Sequence, residues 1–135
     1  MATRSTIAVL NTNGRVSQIY CHWDGYPEQN GKILVNHYSD PNKINLLMAL
    51  GNLSSLGSEI GEPQDFNNPT DKNWCVAYGR DRGKSETESI KYDDINDFLE
   101  NGEEFNYVWD GARWNCFGGQ DIDCMIDLYN IKQTA

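Results

Sequence analysis

Two runs of β-branched and aromatic residues, Ser5 to Leu10 and Val16 to Trp23, open the chain and flank Asn13-Gly14. An Asn-Gly pair between such runs signals a hairpin, because both residues tolerate positive φ. With Asn13 and Gly14 as the two central turn residues, Ile7 lies opposite Tyr20, Ala8 opposite Ile19 and Arg4 opposite Trp23. That register gathers Arg4, His22, Trp23 and Asp24 at the open end of the hairpin.

Gly25 to Gly31 reads as a loop, followed by a short helix with Ile33, Leu34, His37 and Tyr38 on one face. Asp40-Pro41 reads as an N-cap and first helical residue; Ile44, Leu47 and Met48 form the apolar stripe, and Gly51 suits the C′ position. Leu53 to Gly57 predicts one more turn packed on the core, and Gly61 to Thr70, with two prolines, an irregular surface loop. Trp74 to Tyr78 reads as a short strand running into a tight loop, Gly79 to Gly83, that presents Arg80 and Arg82. Asp94 to Asn101 repeats the capped-helix logic, with Ile95, Phe98 and Leu99 inward and Gly102 as the stop. Phe105 to Trp109 and Ala112 to Phe117 flank Asp110-Gly111, a second hairpin signal that sets Tyr107 opposite Trp114. Ile122, Met125, Ile126 and Tyr129 have helical spacing and favour a closing helix, with a strand as the alternative.

These elements predict one α+β domain over residues 1–135. Its sheet is expected to be mostly antiparallel, with about five strands built from two hairpins plus one strand, packed with about three to four short helices.

Composition supports a folded domain: hydrophobic residues make up 39% and aromatics 11%, with four Trp and seven Tyr. The net charge of −9 disfavours contact with a nucleic-acid polymer. The acid is concentrated late, with four bases against six acids up to Asn67 and seven against fourteen beyond it. Asp93, Asp94, Asp97, Glu100, Glu103 and Glu104 form a run without an intervening base, either a solvated helix face or a surface for a basic host protein. Cys21, Cys75, Cys116 and Cys124 follow no paired spacing, so reduced thiols and no metal site are expected. No apolar run approaches the roughly 20 residues that span a bilayer.

Gly79-Arg-Asp-Arg-Gly83-Lys84-Ser85 has the outline of a phosphate loop but one residue too few between its glycines to wrap a phosphate with backbone N–H groups. What remains is Arg80 and Arg82, whose planar forks suit phosphate or carboxylate, or else pair with acids such as Asp81. Cys21-His22-Trp23-Asp24-Gly25-Tyr26 is the densest chemical cluster. Trp23 and Tyr26 offer faces for a base, Arg4 supplies charge, and His22 with Asp24 suits polar edges or acid–base work. The same residues also fit a plain core with a hydrogen-bonded histidine. Trp74 is a candidate pocket wall, and Trp109 and Trp114 are expected to pack.

Six blocks in order, Ala2 to Val9, Gln18 to Tyr26, Asn30 to Leu34 with His37-Tyr38, Leu50 to Gly57, Ala77 to Gly83 and Asn106 to Gly111, resemble a family of short proteins of tailed bacteriophages and prophages. The resemblance implies a small accessory protein in the cytoplasm of an infected bacterium. Such proteins often counter host defence, some by sequestering nucleotide immune signals. It therefore raises the expectation of a nonenzymatic, homo-oligomeric protein, with no cofactor, that captures a nucleotide-type ligand. The ligand contacts would come from Arg4, His22, Trp23, Asp24, Tyr26, Tyr78, Arg80 and Arg82. A protein–protein inhibitor acting through the acidic run, and a hydrolase using His22 and Asp24, are the alternatives.

Overall fold

A computed structural model describes residues 2–118, 125, 126, 128 and 129. It is a mixed α+β fold in which, among the described residues, eight strands form one open sheet in the order β4-β3-β2-β1-β6-β7-β8, with β5 added to β2. The strands are β1 Ser5–Leu10, β2 Val16–Cys21, β3 Leu53–Ser55, β4 Val76–Ala77, β5 Ile90–Tyr92, β6 Phe105–Trp109, β7 Trp114–Gly118 and β8 Met125–Ile126. The helices are α1 Lys32–His37, entered through a π-type turn over Pro27–Gly31, α2 Pro41–Ala49, α3 Tyr78–Arg82 and α4 Ile95–Glu100.

Both expected hairpins form, each in a register different from that expected. In the first, Asn11 N–H donates to Arg15 O and Gly14 adopts φ +86°, so the loop holds three residues and Ile7 pairs with Ile19. A type I turn closed by a left-handed glycine has this form. The slip of one residue places Tyr20 opposite Thr6 and moves it to the other face of the sheet. In the second hairpin Gly111-Ala112 are the central residues, with Gly111 at φ +99°, and Tyr107 pairs with Cys116 while Trp109 meets Trp114.

The sheet departs further from the expected plan at its centre. β1 and β6 run parallel from Ser5↔Phe105 to Val9↔Trp109, and β2 meets β3 in parallel at Cys21↔Leu53. Helices cover both faces of this pair, which is why Ser5, Thr6, Ile7 and Ala8 are all buried. On one side α1 and α2 deliver Leu34, Val35, Ile44 and Leu47 to Ile7, Ile19, Tyr107, Trp109 and Trp114. On the other, Phe98 and Leu99 of α4 cover Ala8, Val16 and Val108. The buried Thr6 hydroxyl is satisfied by donating to Asn106 Oδ1 at 2.7 Å.

Asp40 caps α2 by accepting from Asn42 N–H, and Gly51 follows its end at φ +75°. Asp94 caps α4 by accepting from Asp97 N–H. Leu53–Ser55 is a strand rather than a helical turn, because its backbone pairs with both β2 and β4. Gly79 to Gly83 is not a loop: Gly83 N–H donates to Gly79 O and closes one helical turn. Met125 and Ile126 extend β7 as β8, whereas Ile122 of the expected closing helix lies outside the described residues.

The buried Trp114 indole donates to Tyr38 O at 2.7 Å and so ties β7 to the end of α1. Replacing Trp114 by Phe removes that donor and leaves a gap. A loss of about 2 kcal/mol is expected, read as a lower urea midpoint with an unchanged slope.

Candidate cleft at the split edge of the sheet

The outer edge of β2 is shared by two partners. β5 pairs with Val16 to Gln18, and β3 meets β2 at Cys21. Between them the Tyr20 N–H has no strand opposite it and donates to Asn52 Oδ1 at 3.0 Å. A cleft of about 340 Å³ opens beside this split, lined by Tyr20, Asn52, Tyr78, Arg82, Lys84, Glu86 and Thr87.

Its far wall is held by close backbone contact. Asn52 N–H donates to Thr87 O at 2.7 Å, and Tyr78 N–H donates to Asn52 O. A Cβ on Gly51 would lie 2.2 Å from Thr87 O, and one on Gly79 2.8 Å from Thr87 Oγ1. Only glycine admits the segment at both places.

Arg80 anchors the adjacent helix from within. Its guanidinium donates to Ile60 O at 2.8 Å, to Cys75 O at 2.8 Å and to both oxygens of Asp81 at 2.9 and 3.1 Å. Four of its five N–H groups are thereby used by the fold. Asp81, whose side chain is fully buried, also accepts from Ala77 N–H and Gln64 N–H. Burial would raise the Asp81 carboxyl, but the Arg80 guanidinium and these two amides more than reverse it and hold it below the ordinary carboxylate range. Arg80 is therefore not placed as a ligand contact: its charge is already neutralised inside the protein.

Arg82, by contrast, is exposed, its guanidinium 5.2 Å from the centre of the Phe66 ring. Phe66 packs on Tyr78, and Lys84 Nζ lies 5.6 Å from the Tyr78 ring centre. Both cations thus rest on aromatic rings rather than on carboxylates. Among the described residues the ion pairs are Lys43–Glu59 and Arg80–Asp81, and neither touches the cleft.

The aromatic cluster of the first hairpin reaches the cleft through Tyr20, whose hydroxyl lies 2.7 Å from His22 Nδ1. His22 in turn meets the edge of the exposed Trp23, with ring centres 4.8 Å apart. Burial raises the Tyr20 phenol above its ordinary value, while Arg4 pulls the other way, so Tyr20 stays protonated at neutral pH. Asp24 adopts φ +57° and its carbonyl accepts from Asn30 N–H; among the described residues no hydrogen bond joins it to His22. Tyr26 is exposed, and neither it nor Asp24 lines the cleft. Cys21 points into the core, where burial pushes its thiol up to about 12, unsuited to nucleophilic work near neutral pH.

Of the residues expected to bind, Tyr78 and Arg82 line one hollow. His22 joins it through Tyr20, Trp23 through His22, and Arg4 acts on Tyr20 by charge alone. Tyr20, Asn52, Lys84, Glu86 and Thr87 were not foreseen. Lys84 lies in the phosphate-loop outline, whereas the two-residue hairpin turn expected from Asn13-Gly14 puts Tyr20 on the face of Ile7. Trp74 is no wall of this cleft and packs on Gly61 instead. The acids Asp93, Asp94, Glu100 and Glu104 are exposed, Asp97 and Glu103 half-buried, and Asp94 serves as the cap of α4. Among the described residues no three His, Cys, Asp or Glu side chains group closely enough to hold a metal, and no helix is long and apolar enough to cross a membrane.

No protein-family model, curated protein or solved structure matches this chain.

The division between the two arginines is measurable. Arg80→Ala leaves Asp81 buried and uncompensated and should cost about 3 kcal/mol, whereas Arg82→Ala should stay within about 0.5 kcal/mol of wild type in chemical denaturation. Because the folded Asp81 lies below its unfolded value, its stabilisation is complete above the ordinary carboxylate range and is lost as pH falls below about 4. Thermal melts from pH 7 to pH 2.5 should therefore fall less steeply for Asp81→Asn than for wild type, from a lower starting point.

Proposed function

We propose that this protein is a nonenzymatic binder that captures a small anionic ligand of the nucleotide class in the cleft between Tyr20, Tyr78, Arg82 and Lys84. The carrying observation is that two cations of a strongly acidic chain lie on one hollow, each against an aromatic ring and neither paired with a carboxylate among the described residues. An unpaired guanidinium and ammonium need no internal partner displaced before they meet a phosphate. Tyrosine rings supply faces on which a base stacks. A volume of about 340 Å³ sits at the low end of small-ligand sites, fitting a mononucleotide or one end of a larger cyclic species.

Resemblance to short phage and prophage proteins supplies the biological half of the proposal. The ligand would be a nucleotide-derived immune signal, sequestered in the cytoplasm of an infected bacterium by a homo-oligomer. Binding rather than cleavage is favoured because His22 faces Tyr20 and Trp23 and makes no hydrogen bond to Asp24, which leaves the acid–base pair unassembled.

Titration calorimetry against mononucleotides, cyclic dinucleotides and cyclic ADP-ribose derivatives tests this reading. At least one should bind, and Arg82→Ala and Lys84→Ala should each weaken it by about tenfold or more without lowering stability. Affinity should also fall with added salt, since both cations are exposed. Uniform absence of heat across the panel would sink the proposal, as would recovery of cleaved ligand after incubation for its nonenzymatic half.

A further inference from the structure

Glu86 stands in the same cleft as Arg82 and Lys84, yet its carboxylate forms no hydrogen bond or ion pair with any described residue. It is exposed and adopts φ +60°, a left-handed conformation that glutamate rarely takes, shared among described non-glycine residues with Asp24. Its backbone is not loose. The next residue, Thr87, is buried, bound through its carbonyl to Asn52 N–H and wedged against Gly51 and Gly79. A trap for phosphate alone gains nothing from a fixed negative charge on its wall, because that charge repels the ligand the cations attract.

We propose that Glu86 is the specificity-determining residue of the site: it selects a ligand whose uncharged part presents two adjacent hydrogen-bond donors. This rests on the nucleotide reading above. The two oxygens of a carboxylate accept and cannot donate. They match the N1–H and N2–H₂ edge of guanine, or the cis-diol of a ribose. They oppose the adenine edge, where an acceptor lies beside the donor. Arg82 and Lys84 hold the phosphates, and Glu86 orients the remainder.

The sign of the Glu86→Gln effect separates selection from simple repulsion. Wild type and variant are titrated with guanosine, inosine and adenosine diphosphates, 2′-deoxyguanosine diphosphate and inorganic pyrophosphate. Removing the charge should tighten pyrophosphate and weaken guanosine diphosphate by about tenfold. If the guanine edge is the partner, inosine diphosphate, which lacks the amino group, is affected less than guanosine diphosphate. If the diol is the partner, the adenosine and guanosine ligands weaken alike and the deoxy ligand does not. Glu86→Gly provides a second variant: with the φ constraint relieved it should melt a few degrees higher while losing the same selection. Tightening of every probe in Glu86→Gln would overturn the selection role and leave the nucleotide site standing. Failure of every probe to bind wild type would overturn both.

Discussion

Arg80 and Asp81 form an ion pair at the inner side of α3, and the orientation of that helix depends on it. Withdrawing two charges from water is tolerable only when every remaining lone pair and proton finds a partner. Here the partners are Ile60 O, Cys75 O, Ala77 N–H and Gln64 N–H, drawn from the long loop and the strand that precede the helix. The pair therefore fastens three segments at one point. With Arg80 turned inward, residues two positions away on a helix of one turn are carried outward, and Tyr78 and Arg82 reach the cleft.

The cleft is a consequence of how β2 is paired. Two short strands share its edge, one at each end, and the gap between them falls at Tyr20. Asn52 fills the missing hydrogen bond with its side chain, so the gap carries no orphaned backbone donor. Gly51 and Gly79 let the Thr87 segment approach closely enough to form the facing wall. Local charge then runs against the whole: a chain of net charge −9 places Arg82 and Lys84 on aromatic rings beside that wall. The field inside the cleft is set by these neighbours, because more distant acids are screened by salt.

What was legible in the chain was chiefly local. Capped helices at Asp40 and Asp94, and turns at Asn13-Gly14 and Asp110-Gly111, follow from side chains that satisfy or relax the backbone within a few residues. Elements that depend on distant partners were not legible. Leu53–Ser55 and Ile90–Tyr92 are strands of three residues, too short for a periodic pattern to mark, and they pair because β2 offers an edge. The parallel β1–β6 pair joins residues a hundred positions apart, beyond the reach of any periodic pattern.

For the site the same division holds. The amino-acid sequence by itself determined the inventory, with arginines between two glycines, an aromatic run after the first strand and an acidic balance of charge. Tertiary structure decided which members meet. It turned Arg80 inward and left Arg82 exposed, two residues and about half a helical turn apart. A single extra residue in the first hairpin loop rotated Tyr20 from the Ile7 face to the Thr6 face and so into the cleft. The physical reason is that side-chain direction alternates with every residue of a strand, while a charge stays inside only where distant backbone groups satisfy it. Neither condition can be read from neighbours in sequence.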